Sequence, residues 1–188
     1  MAHLKKALLQ AHDYVRMLVR EGDRVIDATM GNGNDTLFLA ELVGPEGRVF
    51  AFDIQSVALE RTRERLEKAG VLDRCRLILD GHEHMDRYVE GPVKLVIYNL
   101  GYLPNGDHSI GTRAPTTIAA IEKSLSLISP DGMVIVVIYH GGDSGFEERD
   151  ALLDYFNQLD CRRYTVMKTE FINQINCPPI LICIENNL

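Results

Sequence analysis

The sequence predicts an α/β protein built on a doubly wound, mostly parallel sheet of seven strands, with an antiparallel hairpin at one edge. Three observations predict it. Hydrophobic periodicity alternates between helix-like and strand-like along the whole chain. One run, Met133 to Tyr139 (MVIVVIY), is apolar throughout, as suits a central strand buried on both faces. The last two strand-like runs have no helix between them, which suits an antiparallel pair.

Leu4, Ala7, Leu8, Ala11, Val15, Leu18 and Val19 recur at the spacing of an amphipathic helix, which Gly22-Asp23 ends. Residues 24–28 (RVIDA) are a short apolar run entering a glycine-rich turn, the pattern of a buried strand. A helix starting near Asn34-Asp35, good capping residues, carries Leu37, Leu39, Ala40 and Leu42 until Gly44-Pro45-Glu46-Gly47 breaks it. Residues 48–53 (RVFAFD) form strand two, and a helix from Ser56 to Ala69 is stopped by Gly70. Residues 76–79 and 93–98 supply strands three and four. After an irregular stretch from Asn99 to Gly111, a helix carries Ile118, Ile121, Leu125 and Ile128. The turn Pro130-Asp131-Gly132 leads into the strand 133–139. A helix with Leu152, Leu153, Phe156 and Leu159 precedes the closing strands, 163–169 and 179–185. No repeat, linker or low-complexity tract interrupts this order. Residues 1–188 therefore read as a single domain, with 1–22 an N-terminal helix packing on the core.

A chain of 188 residues should bury about 70% of its unfolded surface, enough for a real core. With 46% hydrophobic and 25% charged residues, fibrous and disordered classes are excluded. Twenty Lys and Arg against 27 Asp and Glu leave a net charge of −7. Nucleic-acid binding by bulk positive charge is excluded, and any such partner must be gripped locally. Lys5, Lys6, Arg16, Arg20, Arg113, Arg162, Arg163 and Lys168 are candidates for a rim, and a homodimer would join two rims. The four cysteines show no CxxC pair and no zinc spacing. No apolar run reaches the roughly 18 residues of a membrane span, and no apolar signal core opens the chain. A cytoplasmic protein with reduced thiols is expected.

Ligands of such sheets bind outside the carboxyl ends of the strands, so the residues after each strand carry the chemistry. Strand one is followed by Asp27-Ala28-Thr29-Met30-Gly31-Asn32-Gly33-Asn34-Asp35-Thr36, whose glycines let backbone pass close to a ligand. Asp53, at the end of strand two, can accept both hydroxyls of a ribose. A dinucleotide fingerprint wants a third small residue where Thr36 stands, and its pyrophosphate disfavours an acid such as Asp27. S-adenosylmethionine carries an ammonium and a sulfonium, so acids beside the glycines favour it. After strand three, Asp80-Gly81-His82-Glu83-His84 suits the adenine end, although two histidines two apart also admit a metal reading. After strand four, Asn99-Leu100-Gly101-Tyr102-Leu103-Pro104 is a partial match to the Asn-Pro-Pro-Tyr type motif of amino-methylating enzymes. There Asn99 can accept an amine hydrogen, and Tyr102 offers a face to a base or a methyl cation. After strand five, His140 can either take a proton from an amine or simply fix its loop.

Together DATMGNGND, AFDIQ, DGHEH, NLGYLPNGD and NCPPILICIE resemble the MnmM/YtqB-like family of class I S-adenosylmethionine-dependent methyltransferases, long labelled rRNA methylases. The resemblance covers nearly the whole chain and implies a Rossmann-like fold. It implies N-methylation of the 5-aminomethyl group of wobble uridine in tRNA, 5-aminomethyl-2-thiouridine becoming 5-methylaminomethyl-2-thiouridine. Ribosomal RNA or a small-molecule amine is the alternative acceptor. On the resemblance, Gly31, Asn32, Gly33, Asn34 and Asp35, with Asp53 and Gln55, hold methionine and ribose. Gly81, His82 and Glu83 border the adenine, and Asn99 with the loop through Leu103 and Pro104 forms the methyl-acceptor wall. The predicted active-site loops hold no cysteine, which argues against covalent methylation at a pyrimidine carbon.

Overall fold

The structure, a computed structural model, describes residues 3–101, 111–141 and 145–187. Its strands are Arg24–Asp27 (β1), Arg48–Asp53 (β2), Cys75–Leu79 (β3), Val93–Leu100 (β4), Ile128–Ile138 (β5), Tyr164–Thr169 (β6) and Ile180–Asn186 (β7). They form one sheet in the order β3-β2-β1-β4-β5-β7-β6. The first five run parallel, and β7 is antiparallel to both β5 and β6. The mostly parallel sheet with an antiparallel edge is therefore the fold that forms. Strand order reverses between β1 and β4, and a ligand crevice opens at such a switch point.

Among the described residues five α-helices flank the sheet: Ala7–Leu18 (α1), Asn34–Val43 (α2), Ser56–Ala69 (α3), Ala114–Leu127 (α4) and Gly145–Asn157 (α5). Strand side chains alternate between the faces, as a pleat with period two requires. Val25, Leu95, Ile97, Ile135 and Val137 pack with Ala11, Val15, Leu39 and Leu66 on one face. Ile26, Val96, Tyr98, Val134 and Val136 pack with Ile121, Leu125, Leu152 and Phe156 on the other. Both faces of β4 and β5 are thus sealed, which explains their continuous apolar character. None of the helices among the described residues is long and apolar enough to cross a membrane.

Local details differ from the sequence expectation, among them β5, which starts at Ile128 and runs through the expected turn at Pro130-Asp131-Gly132. Gly33, in the left-handed region at φ 75°, is the N-cap of α2, and no side chain caps that helix. Asp35 has other partners, described below. The strand β4 runs on to Leu100, so Asn99 stands inside it. The polar segment after β3 is a 3-10 helix, His82–Arg87, rather than an open loop.

Candidate active site

The carboxyl ends of the neighbouring strands β1 and β2 build one wall. Gly31 (φ 52°) and Gly33 fold the turn back over α3. A Cβ at Gly33 would lie 2.7 Å from Thr62 Oγ1, so only glycine fits there. Gly31 N–H donates to Asp53 Oδ2 at 2.9 Å and Gln55 N–H to Asp53 Oδ1 at 2.9 Å, while Thr62 Oγ1 donates to the Gly31 carbonyl at 3.1 Å. Burial raises the Asp53 pKa, and these donors oppose the rise. Asp27 is wholly buried, accepting from Thr36 Oγ1 at 2.6 Å and Thr29 N–H at 3.1 Å. Burial, with Asp35 nearby, pushes its pKa up to about 7. That explains Thr36: its hydroxyl holds the acid beneath the turn.

A cavity of about 1720 Å3 opens above these ends. Gly31, Asn32, Asn34, Asp35, Asp53, Gln55, Gly81, His82, Glu83, Asn99, Arg113 and His140 line it. Asp27 and Gly33 do not; both are buried and shape the turn from behind. His82 Nδ1 donates to the Ala28 carbonyl at 3.1 Å, which leaves Nε2 as an acceptor when the ring is neutral, and burial lowers its pKa. His84 turns to Asp80 instead (2.9 Å), an acid that also accepts from Tyr88 at 2.7 Å. Hydrogen bonds from His84 and Tyr88 hold the Asp80 carboxyl down at about 2. Among the described residues no group of three His, Cys, Asp or Glu is arranged to hold a metal.

The donor set of the cavity fits S-adenosylmethionine. Asp53 and Glu83 are acceptors suited to hydroxyl and ammonium donors, whereas Arg113 is the one Lys or Arg on the wall among the described residues. A pyrophosphate would find little to neutralise it.

The wall above β4 and β5 is assembled from distant parts of the chain. Asn99 N–H donates to Thr29 Oγ1 at 2.7 Å, and Asn99 Nδ2 donates to Asp35 Oδ2. Asp35 Oδ1 pairs with His12 Nε2 at 2.7 Å. Among the described residues Asn99 Oδ1 is buried with no partner. His140 Nε2 donates to the Pro178 carbonyl at 3.0 Å, which leaves Nδ1 as an acceptor when the ring is neutral, and among the described residues it too is buried without a partner. Gly101 and Thr112 close the base of the intervening segment: Thr112 N–H donates to the Gly101 carbonyl, and Gly101 N–H to Thr112 Oγ1, each at 3.0 Å. Glu148, 7% exposed, accepts from the Thr112 and Thr117 hydroxyls at 2.8 Å, and burial raises its pKa. Tyr102, Leu103 and Pro104 lie outside the described residues.

One expectation is overturned. Cys177, at φ 44° before Pro178-Pro179, lines the cavity, so a thiol does stand on its wall. The fold brings it there because the β6–β7 connection returns over the end of β5. His12, Glu148 and Tyr139 are further wall residues the sequence did not single out. A signal existed for Glu148, which shares the i, i+4, i+8 stripe of α5 with buried Leu152 and Phe156. Several rim cations have partners within the chain: Lys5 and Arg16 pair with Asp13, and Lys168 with Glu170.

Comparison with known proteins supplies the lineage. A family profile described as "Putative rRNA methylase" matches residues 49–185. A relative from Arabidopsis thaliana, the chloroplastic tRNA (mnm(5)s(2)U34)-methyltransferase, is 34% identical over 94% of this chain and 68% of its own. A solved structure from Clostridium thermocellum with the same rRNA-methylase description is 54% identical, with a TM-score of 0.97 over 98% of this chain and all of that one. A protein from Streptococcus mutans, described as "a putative methyltransferase" and solved in complex with SAH, is 40% identical, with a TM-score of 0.89 over 97% of this chain and 99% of its own. With its cavity, its acid-lined glycine turn and these relatives together, the chain belongs to the rRNA-methylase family of S-adenosylmethionine-dependent methyltransferases.

Proposed function

We propose that this methyltransferase N-methylates the primary amine of a 5-aminomethyl uridine at the wobble position of tRNA. The observation that carries the reading is the pair of buried atoms without partners among the described residues, Asn99 Oδ1 near the end of β4 and His140 Nδ1 two residues past the end of the adjacent β5, both on residues lining one cavity. Leaving a buried polar atom unpaired costs about 1–3 kcal/mol, so two in one wall point to a ligand with two donors. A primary amine has two hydrogens and one lone pair. Asn99 and His140 take the hydrogens, and the lone pair stays free for the methyl group.

S-adenosylmethionine supplies an electrophilic methyl group. The chain's own residues then orient the amine, and positioning of this kind supplies most of the rate. As the new N–C bond forms, nitrogen loses a proton, and His140 Nδ1 is placed to accept it. Asp53, Gln55, Gly81, His82 and Glu83 hold the donor, and Arg113 at the mouth meets phosphate. The Arabidopsis relative, whose name specifies U34 of tRNA, supports the wobble position.

Mass spectrometry of tRNA nucleosides tests the reading. A strain lacking the gene should accumulate 5-aminomethyl-2-thiouridine, and purified protein with S-adenosylmethionine should convert it. An unchanged nucleoside profile overturns the wobble assignment. Cys177→Ala should keep the activity; loss of turnover together with a covalent adduct to wild-type Cys177 would favour attack at the pyrimidine ring instead.

A further inference from the structure

We infer that His12, on the N-terminal helix α1, is a positioning residue of the acceptor wall, acting through Asp35 to fix which end of the Asn99 amide meets the amine. The inference rests on the reading of Asn99 as the amine's contact.

An asparagine amide is nearly symmetric in shape, so its oxygen and nitrogen exchange places by a half-turn of the end group. For an acceptor wall only one orientation works. The carboxylate of Asp35 selects it, since both its oxygens accept and an amide oxygen turned toward it would set acceptor against acceptor. Asn99 Nδ2 donates to Asp35 Oδ2, and Oδ1 is left as the unpartnered atom. The Asn99 main chain is held separately by Thr29.

Asp35 in turn needs holding, because it sits in the first turn of a helix with no capping bond of its own. His12 Nε2 holds Oδ1 at 2.7 Å, with only 17% and 12% of the two side chains exposed. The imidazole is itself fixed. It stacks on Phe38 at 4.4 Å between centroids and a 30° tilt, and the Arg16 guanidinium lies 4.9 Å from the centre of the same Phe38 ring. All three members, His12, Asp35 and Asn99, line the cavity. Three elements far apart in sequence thus converge to orient one amide oxygen, and α1 is part of the site as well as a cover for the sheet.

The test replaces His12 with Phe, which keeps the stack on Phe38 and removes the donor, and with Gln, which keeps a donor. His12→Phe should lower kcat about 10- to 100-fold with the KM for S-adenosylmethionine within about twofold, and His12→Gln should recover most of the loss. A second readout needs neither RNA nor cofactor. In the free protein the Asn99 side-chain amide protons, assigned by their absence in Asn99→Ala, should be shifted downfield and exchange slowly. They should move to ordinary asparagine positions in His12→Phe and return in His12→Gln. If His12→Phe does not fold, His12→Leu takes its place. Unchanged Asn99 signals, or a Gln variant no better than Phe, would overturn the relay. A wild-type protein inactive on tRNA but showing these spectral changes would sink the functional reading alone.

Discussion

The two walls of the cavity are built in opposite ways. On the β1–β2 side the polar groups are already satisfied: Asp53 by Gly31 and Gln55, Asp27 by Thr29 and Thr36. Those contacts join neighbouring loops, and the wall is preorganised before any ligand arrives. On the β4–β5 side Asn99 and His140 each keep one unsatisfied acceptor, and every contact that holds them spans a long stretch of chain. On the proposed reading the first wall binds the donor, and the second leaves hydrogen bonds for the acceptor substrate to complete. Such a division raises turnover, because interactions completed by the reacting partner act on the transition state.

The contrast breaks if single substitutions do not separate the two walls. Asn99→Ala should cut kcat roughly 100-fold or more while leaving S-adenosylmethionine affinity within about twofold. Asp53→Ala should do the reverse, weakening cofactor binding by roughly 10- to 100-fold in calorimetry with a smaller change in kcat at saturation. Equal effects on both parameters from either variant would merge the walls into one.

The preorganised wall carries a stability cost that a smaller experiment exposes. Asp27 titrates near 7 in the folded protein, against 3.8 for an unperturbed carboxyl. Between those values the folded state binds more protons than the unfolded state, so stability falls as pH rises through this window and is lowest above it. Asp27→Asn can still accept from Thr29 and donate to Thr36. It should be more stable than the parent at pH 8, by on the order of 2 kcal/mol, with the gain fading toward pH 4. A variant less stable at every pH would mean that the fold needs the carboxylate.

Glu148 should show the same sign with a smaller effect. Its pKa is raised by burial alone, and the Thr112 and Thr117 hydroxyls oppose that rise. Glu148→Gln should therefore flatten the decline in melting temperature above the ordinary glutamate range. A steeper decline would mean the ionised form is the one that holds Thr112.

The same contrast decides how much was legible in the sequence. The glycine turn, Asp53 and the Gly81-His82-Glu83 cluster stand where the strand ends predict, because each follows directly on a strand that its own apolar run announces. Asn99 and His140 were also readable, as polar residues following apolar strands. What holds them was not. His12 meets Asp35 across 23 residues, and His140 meets Pro178 across 38, and no local pattern reports such pairings. Cys177 was not placed at the site for the same reason: it precedes Pro178-Pro179 in the connection before β7, with no strand end to mark it. Asp27 differs in the other direction: an acid beside glycines suggests a ligand contact, and in the structure it is buried underneath the turn.

The position of β7 has a consequence for how the protein is made. Ile180–Asn186 lies between β5 and β6, pairing with both, although it is the last strand in chain order. During synthesis β5 therefore emerges with an unpaired apolar edge, a template for association with other chains until β7 arrives. His140 lacks its Pro178 partner over the same interval. A nascent chain halted before residue 178 can already fold its glycine turn, yet it has neither a sealed sheet nor a finished acceptor wall. Chains that stop short of β7 should therefore expose an apolar sheet edge and lack the Pro178 contact of His140.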